Sequence, residues 1–103
     1  MQSIINGLRY NTETATLIGE GAGGEGKGDF KWWEAGLYRT KSGRYFLAGK
    51  GGPMTQWAHQ VGSGLTYGSG IIALEPAEAL AWAERELTTE EVETGFPTII
   101  TDA

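Results

Sequence analysis

Cysteine is absent from the 103-residue chain, which removes disulfides, thiolate nucleophiles, iron–sulfur ligation and sulfur-rich zinc sites at once. Histidine occurs once, as His59, so a cluster of imidazole ligands cannot be assembled within one chain. Asp29 and Asp102 are the only aspartates, and the glutamates have no spacing that would bring a divalent cation to a phosphoryl group. Ser3, Ser42, Ser63 and Ser69 fall in turns or at the N-terminus, and none stands in a Gly-x-Ser-x-Gly elbow. Long hydrophobic runs are missing too. Nothing approaches the roughly 20 apolar residues that cross a bilayer. Met1-Gln2-Ser3-Ile4-Ile5-Asn6-Gly7 has neither the basic start nor the apolar core of a signal peptide. The expectation is a cytoplasmic, non-catalytic protein that needs no metal or cofactor.

What is present describes one soluble domain over residues 1–103, with 40% apolar and 20% charged content and room for a single modest core. Its net charge of -5 is unevenly placed: residues 75–103 hold eight acids against one base, Arg85, whereas the first 74 residues hold seven bases and five acids. An acidic stretch of this kind is either a solvated helical face or a surface that docks on a basic protein groove. Four Trp and four Tyr in a chain this short exceed what one such core readily hides, and both residue types are favoured anchors at protein interfaces.

Along the chain, Asn6-Gly7 between two short apolar segments predicts a hairpin closed by a type I′ turn. Asn11-Thr12-Glu13-Thr14-Ala15 then offers a cap and one helical turn. Residues 19–28 hold little side-chain surface and maximal backbone entropy, which predicts a flexible glycine-rich loop. A phosphate cradle is disfavoured there, because no Gly-Lys-Ser/Thr follows and Glu20 and Glu25 repel an anion. The aromatic segments 30–39 and 44–48 flank Thr40-Lys41-Ser42-Gly43 and predict a second hairpin. Alternation puts Trp33, Ala35 and Leu37 on one face and Trp32, Glu34 and Tyr38 on the other, without deciding which turns inward.

Met54, Trp57, Ala58 and Val61 follow helical spacing after Pro53 and predict a short helix, followed by a flexible connection over residues 62–70. Residues 70–74 predict a strand. Pro76, Ala79, Leu80, Ala83 and Leu87 line one stripe of the chain's best helix, leaving Trp82 off its centre, either widening the buried face or standing exposed. Thr88-Thr89-Glu90-Glu91 is a capping box for a second, shorter helix, and Thr98-Ile99-Ile100-Thr101 is an edge strand or a loose segment. The fold predicted is α+β: an antiparallel sheet of two hairpins plus one further strand, covered on one face by the helix near residues 76–87, with the second short helix beside it.

Several segments together resemble a family of small proteins carried by phages, plasmids and other mobile elements. They are Asn6-Gly7 with Tyr10-Asn11-Thr12-Glu13-Thr14-Ala15, Leu37-Tyr38-Arg39-Thr40-Lys41-Ser42-Gly43-Arg44-Tyr45-Phe46-Leu47, Gly51-Gly52-Pro53-Met54-Thr55, Ile71-Ile72-Ala73-Leu74, and Glu78-Ala79-Leu80-Ala81-Trp82-Ala83. The likeness covers residues 4–96, and some members of the family look like anti-CRISPR inhibitors. It implies stoichiometric inhibition of a host CRISPR-Cas effector by direct protein binding. Glu84, Glu86, Glu90, Glu91 and Glu93 are expected to engage a basic channel or subunit surface, with Trp32 or Trp82 as the desolvated anchor. Two other readings stand beside it. One is a nucleic-acid-associated regulator using Lys27, Lys31, Arg39, Lys41, Arg44 and Lys50; the other is a small enzyme acting on a signalling nucleotide, with His59 as its candidate catalyst.

Overall fold

The structure is a computed structural model describing residues 1–103. Asn6 and Gly7 both take positive φ, 52° and 80°, the pair of conformations a type I′ turn requires. They join β1 (Gln2–Ile5) to β2 (Leu8–Asn11), as the dipeptide predicts. The cap and single helical turn expected next are there: Asn11 Oδ1 accepts from the Glu13 N–H at 3.0 Å, and the Asn11 carbonyl accepts from the Ala15 N–H at 3.1 Å.

The loop expected over residues 19–28 is in large part a strand. β3 (Thr16–Gly23) pairs with β4 (Trp33–Arg39), setting Gly19 opposite Leu37, Gly21 opposite Ala35 and Gly23 opposite Trp33. Alternate residues of a strand share a face, so these three glycines lie on the face that carries the core. A Cβ on Gly19 would stand 2.8 Å from a Leu87 methyl, and one on Gly21 would stand 3.2 Å from the Trp82 ring. One on Gly23 would collide with the Trp33 indole. Gly19 and Gly21 leave room for helix side chains that rest directly on the β3 backbone, and Gly23 leaves room for the Trp33 indole of the neighbouring strand; only residues 24–32 remain a loop.

β5 (Tyr45–Gly51) forms the predicted second hairpin with β4, and β8 (Gly68–Leu74) completes a four-stranded sheet in the order β3-β4-β5-β8. The first hairpin is not part of it. β1 and β2 make a separate two-stranded sheet, whose Tyr10 packs edge-on against Phe46 at 5.4 Å, while Tyr38 stacks on the same ring at 5.2 Å. The connection expected to be flexible over residues 62–70 is instead a small hairpin, β6 (His59–Val61) with β7 (Gly64–Thr66), followed directly by β8. The helix expected after Pro53 is absent. Thr55 Oγ1 donates to the Gly52 carbonyl at 2.8 Å and accepts from the Trp57 N–H at 3.2 Å, a local alternative to helical bonding. Trp57 is buried, but Met54 and Val61, its supposed stripe partners, are 62% and 64% exposed.

The last third is helical as predicted, in α1 (Pro76–Glu86) and α2 (Thr89–Gly95). Glu78 closes a capping box on the Glu75 N–H at 2.9 Å, and Glu91 closes one on the Thr88 N–H at 3.0 Å. The predicted stripe of α1 stands, with Leu80 and Leu87 packed half-buried against the core, and Trp82 widens it. Ala79, Trp82 and Ala83 face inward and Pro76 is exposed, because glycine at position 21 leaves room for the Trp82 ring. Phe96 is fully buried and stacks on Tyr45 at 4.7 Å, whose hydroxyl donates to the Gly95 carbonyl at 3.0 Å. These residues join Ala35, Leu37, Leu47 and Trp57 in one core, which answers the question of face: the Trp33–Leu37 side turns inward. Residues 98–101 add no strand. No helix is long and apolar enough to cross a membrane.

The strand assignment of β3 is directly testable. Gly21→Val meets Trp82, Trp33 and Glu86 at 3.1–3.3 Å and should cost about 1–3 kcal/mol by overpacking. Gly28→Ala meets nothing within 4 Å and should stay within about 0.5 kcal/mol of the parent. Urea denaturation of both distinguishes a packed strand from a loop, in which the two changes would be equally mild.

Candidate functional site

α1 presents different side chains to its two flanks. On the side toward α2, Leu80 and Leu87 meet Val92, and the chain returns past them after Phe96 with Ile99 and Ile100. The result is a cleft of about 460 Å³. Its walls are apolar, and Ile99 and Ile100 are each 42% exposed. Glu84 from α1 and Glu93 from α2 both line this cleft and are exposed. The molecule's one ion pair, Glu34 with Lys50 at 3.2 Å, lies in the sheet. The carboxylates of the helices therefore have no cationic partner within the chain, and their field reaches solvent over the Debye length of roughly 8–10 Å.

The seven residues singled out in the sequence do not form one surface. Glu84 and Glu93 come together at the cleft between the helices. Glu90 is exposed in the first turn of α2. Glu91 is consumed locally: its Oε1 accepts from both the Thr88 N–H and the Thr88 hydroxyl, at 3.0 and 3.1 Å. Glu86 is half-buried beside Gly21 and lines a different cleft, together with Trp82. Trp82 is corrected from an exposed anchor to a core residue, 6% exposed and edge-to-face with Trp33 at 6.3 Å. Trp32 is half-buried at the end of the 24–32 loop, with the Lys27 ammonium 5.9 Å from its ring.

The cations proposed for nucleic-acid binding are likewise divided. Lys27, Lys31 and Lys50 lie toward the end of the sheet where β4 begins, and Arg39, Lys41 and Arg44 lie where it ends. Seven residues of strand separate the groups, about 20 Å at the usual rise. His59 Nε2 lies 3.0 Å from the Ser69 carbonyl, so the ring pins the β6–β7 hairpin to the start of β8. No three His, Asp or Glu side chains converge as a metal site would require.

Asp29 organises the remaining loop, a role the sequence reading passed over although an aspartate after glycines is a turn signal. Its carboxylate accepts from the Lys31 N–H at 2.9 Å and the Glu25 N–H at 3.0 Å. The Lys31 bond first, then the Glu25 bond, holds the Asp29 pKa below its ordinary 3.8, outweighing slight desolvation. Because the folded pKa is depressed, the contribution of Asp29 to loop order is fully present above the ordinary carboxyl range. It is lost as the pH falls from 3.8 through the lowered folded value. Protection of the Glu25 and Lys31 amides, measured against the intrinsic exchange rate at each pH, should fall over that interval, and Asp29→Ala should show the low protection at every pH.

Comparison with protein-family models, with curated proteins and with solved structures finds no match to this chain.

Proposed function

We propose that the protein works by occupying a partner's surface, as a stoichiometric inhibitor of a host CRISPR-Cas effector, without turnover. The observation that carries the reading is the cleft between α1 and α2. Leu80, Leu87, Val92 and Ile99 supply apolar walls, and Glu84 and Glu93 supply unpaired carboxylates beside them. A basic amphipathic segment satisfies both halves of such a surface: its apolar residues enter the cleft, and its Lys or Arg side chains meet the acids. Proteins that grip nucleic acid in a defence complex expose Lys and Arg, since neutralising phosphate requires them. The likeness to mobile-element proteins supplies the CRISPR effector as the particular partner.

Copurification of tagged protein with CRISPR effector complexes tests the proposal. The double variant Glu84→Lys/Glu93→Lys should reduce retention at least tenfold, on the usual scale for reversing close charge pairs at an interface. Raising the salt concentration should slow association of the parent protein. Full retention of the double variant would remove the cleft from the interface. Failure of every effector complex to copurify would remove the CRISPR reading.

A further inference from the structure

The four-stranded sheet has two outer strands, and the fold treats them differently. At β8 the Ser69 carbonyl is taken by the His59 ring, and β1 lies alongside. At β3 no such cover exists: residues 16–23 hydrogen-bond to β4 and to no other part of the chain.

The phase of the ladder decides which β3 groups are left over. Residues of an inner antiparallel strand bond alternately to the neighbour on one side and to the neighbour on the other. Flanking β4, the Trp32 carbonyl accepts from the Gly52 N–H at 2.7 Å, and the Thr40 N–H donates to the Arg44 carbonyl at 2.8 Å. The even-numbered residues of β4 therefore bond toward β5, and Trp33, Ala35 and Leu37 bond toward β3, where their partners are Gly23, Gly21 and Gly19. Between those glycines, Glu20 and Ala22 turn their N–H and C=O groups outward, and both residues are exposed. Two residues along a strand span about 7 Å, the repeat at which an added antiparallel strand would bond.

Exposed edges are commonly blunted by Lys, Pro or a bulge. Between Gly19 and Gly23 there is neither Lys nor Pro, and the bulge falls earlier, between Leu17 and Gly19. What stands at this edge is acid. Glu20, on the sheet face away from the helices, is in no ion pair. Glu86 of α1 approaches from the helix face, its Cβ 3.1 Å from where a Gly21 side chain would begin. Arg39 is opposite Thr16, on the far side of the bulge.

We infer that the β3 edge from Glu20 to Gly23 accepts an extended basic segment of another protein as an added strand. Backbone bonds to Glu20 and Ala22 hold the segment, and neighbouring Lys or Arg side chains, which point to opposite faces, meet Glu20 on one side and Glu86 on the other. A second copy of this chain is the wrong occupant. Self-pairing would gather the Glu20 and Glu86 carboxylates of both copies at one seam, between molecules that each carry a net charge of -5. This edge belongs to the sheet, and its occupancy does not depend on the partner proposed for the α1–α2 cleft.

The test is a titration of the whole protein with the peptide acetyl-Thr-Val-Lys-Lys-Val-Thr-amide, followed by backbone amide resonances. The Glu20 and Ala22 signals should move downfield to saturation in the millimolar range, while Ile71 and Ala73 on the β8 edge stay in place. Replacing both peptide lysines by glutamate, or N-methylating its four central amides, should weaken binding at least about tenfold. Glu20→Lys changes an exposed side chain outside any ion pair; it should weaken binding about tenfold with an unchanged melting temperature. Stationary Glu20 and Ala22 signals throughout the titration would overturn the assignment. So would equal binding of the acidic or the N-methylated peptide, or undiminished binding by Glu20→Lys. Movement of the same two signals with protein concentration alone would make a second copy the occupant and overturn it as well.

Discussion

The seating of indoles and helix side chains directly on the backbone of β3 is the contact on which the rest of the architecture depends. Gly19, Gly21 and Gly23 turn one face of that strand into bare peptide. Leu87, Trp82 and Trp33 occupy the space their side chains would fill. Dispersion falls steeply with separation, so a layer lowered onto the strand gains contacts that a bulkier residue would prevent. The same approach widens the buried face of α1. With Trp82 directed at Gly21, the buried face runs through Ala79, Trp82 and Ala83, and Leu80 and Leu87 pack at its margin, where with Glu84 they line the cleft toward α2. The acidic cleft is a by-product of where Trp82 finds room.

Local signals were legible and long-range accommodation was not. The Asn6-Gly7 turn, the β4–β5 hairpin, the strand ending at Leu74 and the Thr88–Glu91 box each depend on residues within a few positions of one another, and each stands where the sequence places it. Gly19 and Gly21 misled because their reason lies some sixty residues away, in Leu87 and Trp82, while Gly23 answers to Trp33 on the next strand; read alone, they describe only a flexible chain. Period-two spacing of Gly19, Gly21 and Gly23 was the available clue, and composition drowned it. Residues 53–61 failed for the opposite reason. Helical spacing was present, but the Thr55 hydroxyl and the neighbouring glycines favour successive turns.

The candidate site was legible in part. That carboxylates crowd the last third is plain from composition, but which of them act together depends on helix rotation. Glu84 and Glu86 are two positions apart and line different clefts. Glu91 could have been set aside from the start, because the capping box that identified α2 already assigns its carboxylate to the Thr88 N–H. Arg85 carried no meaning in the sequence beyond its isolation; in the fold its guanidinium folds back on the Ala81 carbonyl of its own helix.

The β6–β7 hairpin has a different kind of consequence. All six of its strand residues are exposed. The His59 contact with the Ser69 carbonyl and the bond from the Tyr67 hydroxyl to the Lys27 carbonyl at 2.9 Å, just beyond β7, tie it down near its base. A protrusion anchored near its base and released from packing along its length is under no obligation to the core. Between those two moorings the chain is free to drift in evolution, so this is the part of the molecule where relatives would diverge fastest and where a foreign segment could be spliced without unfolding the rest.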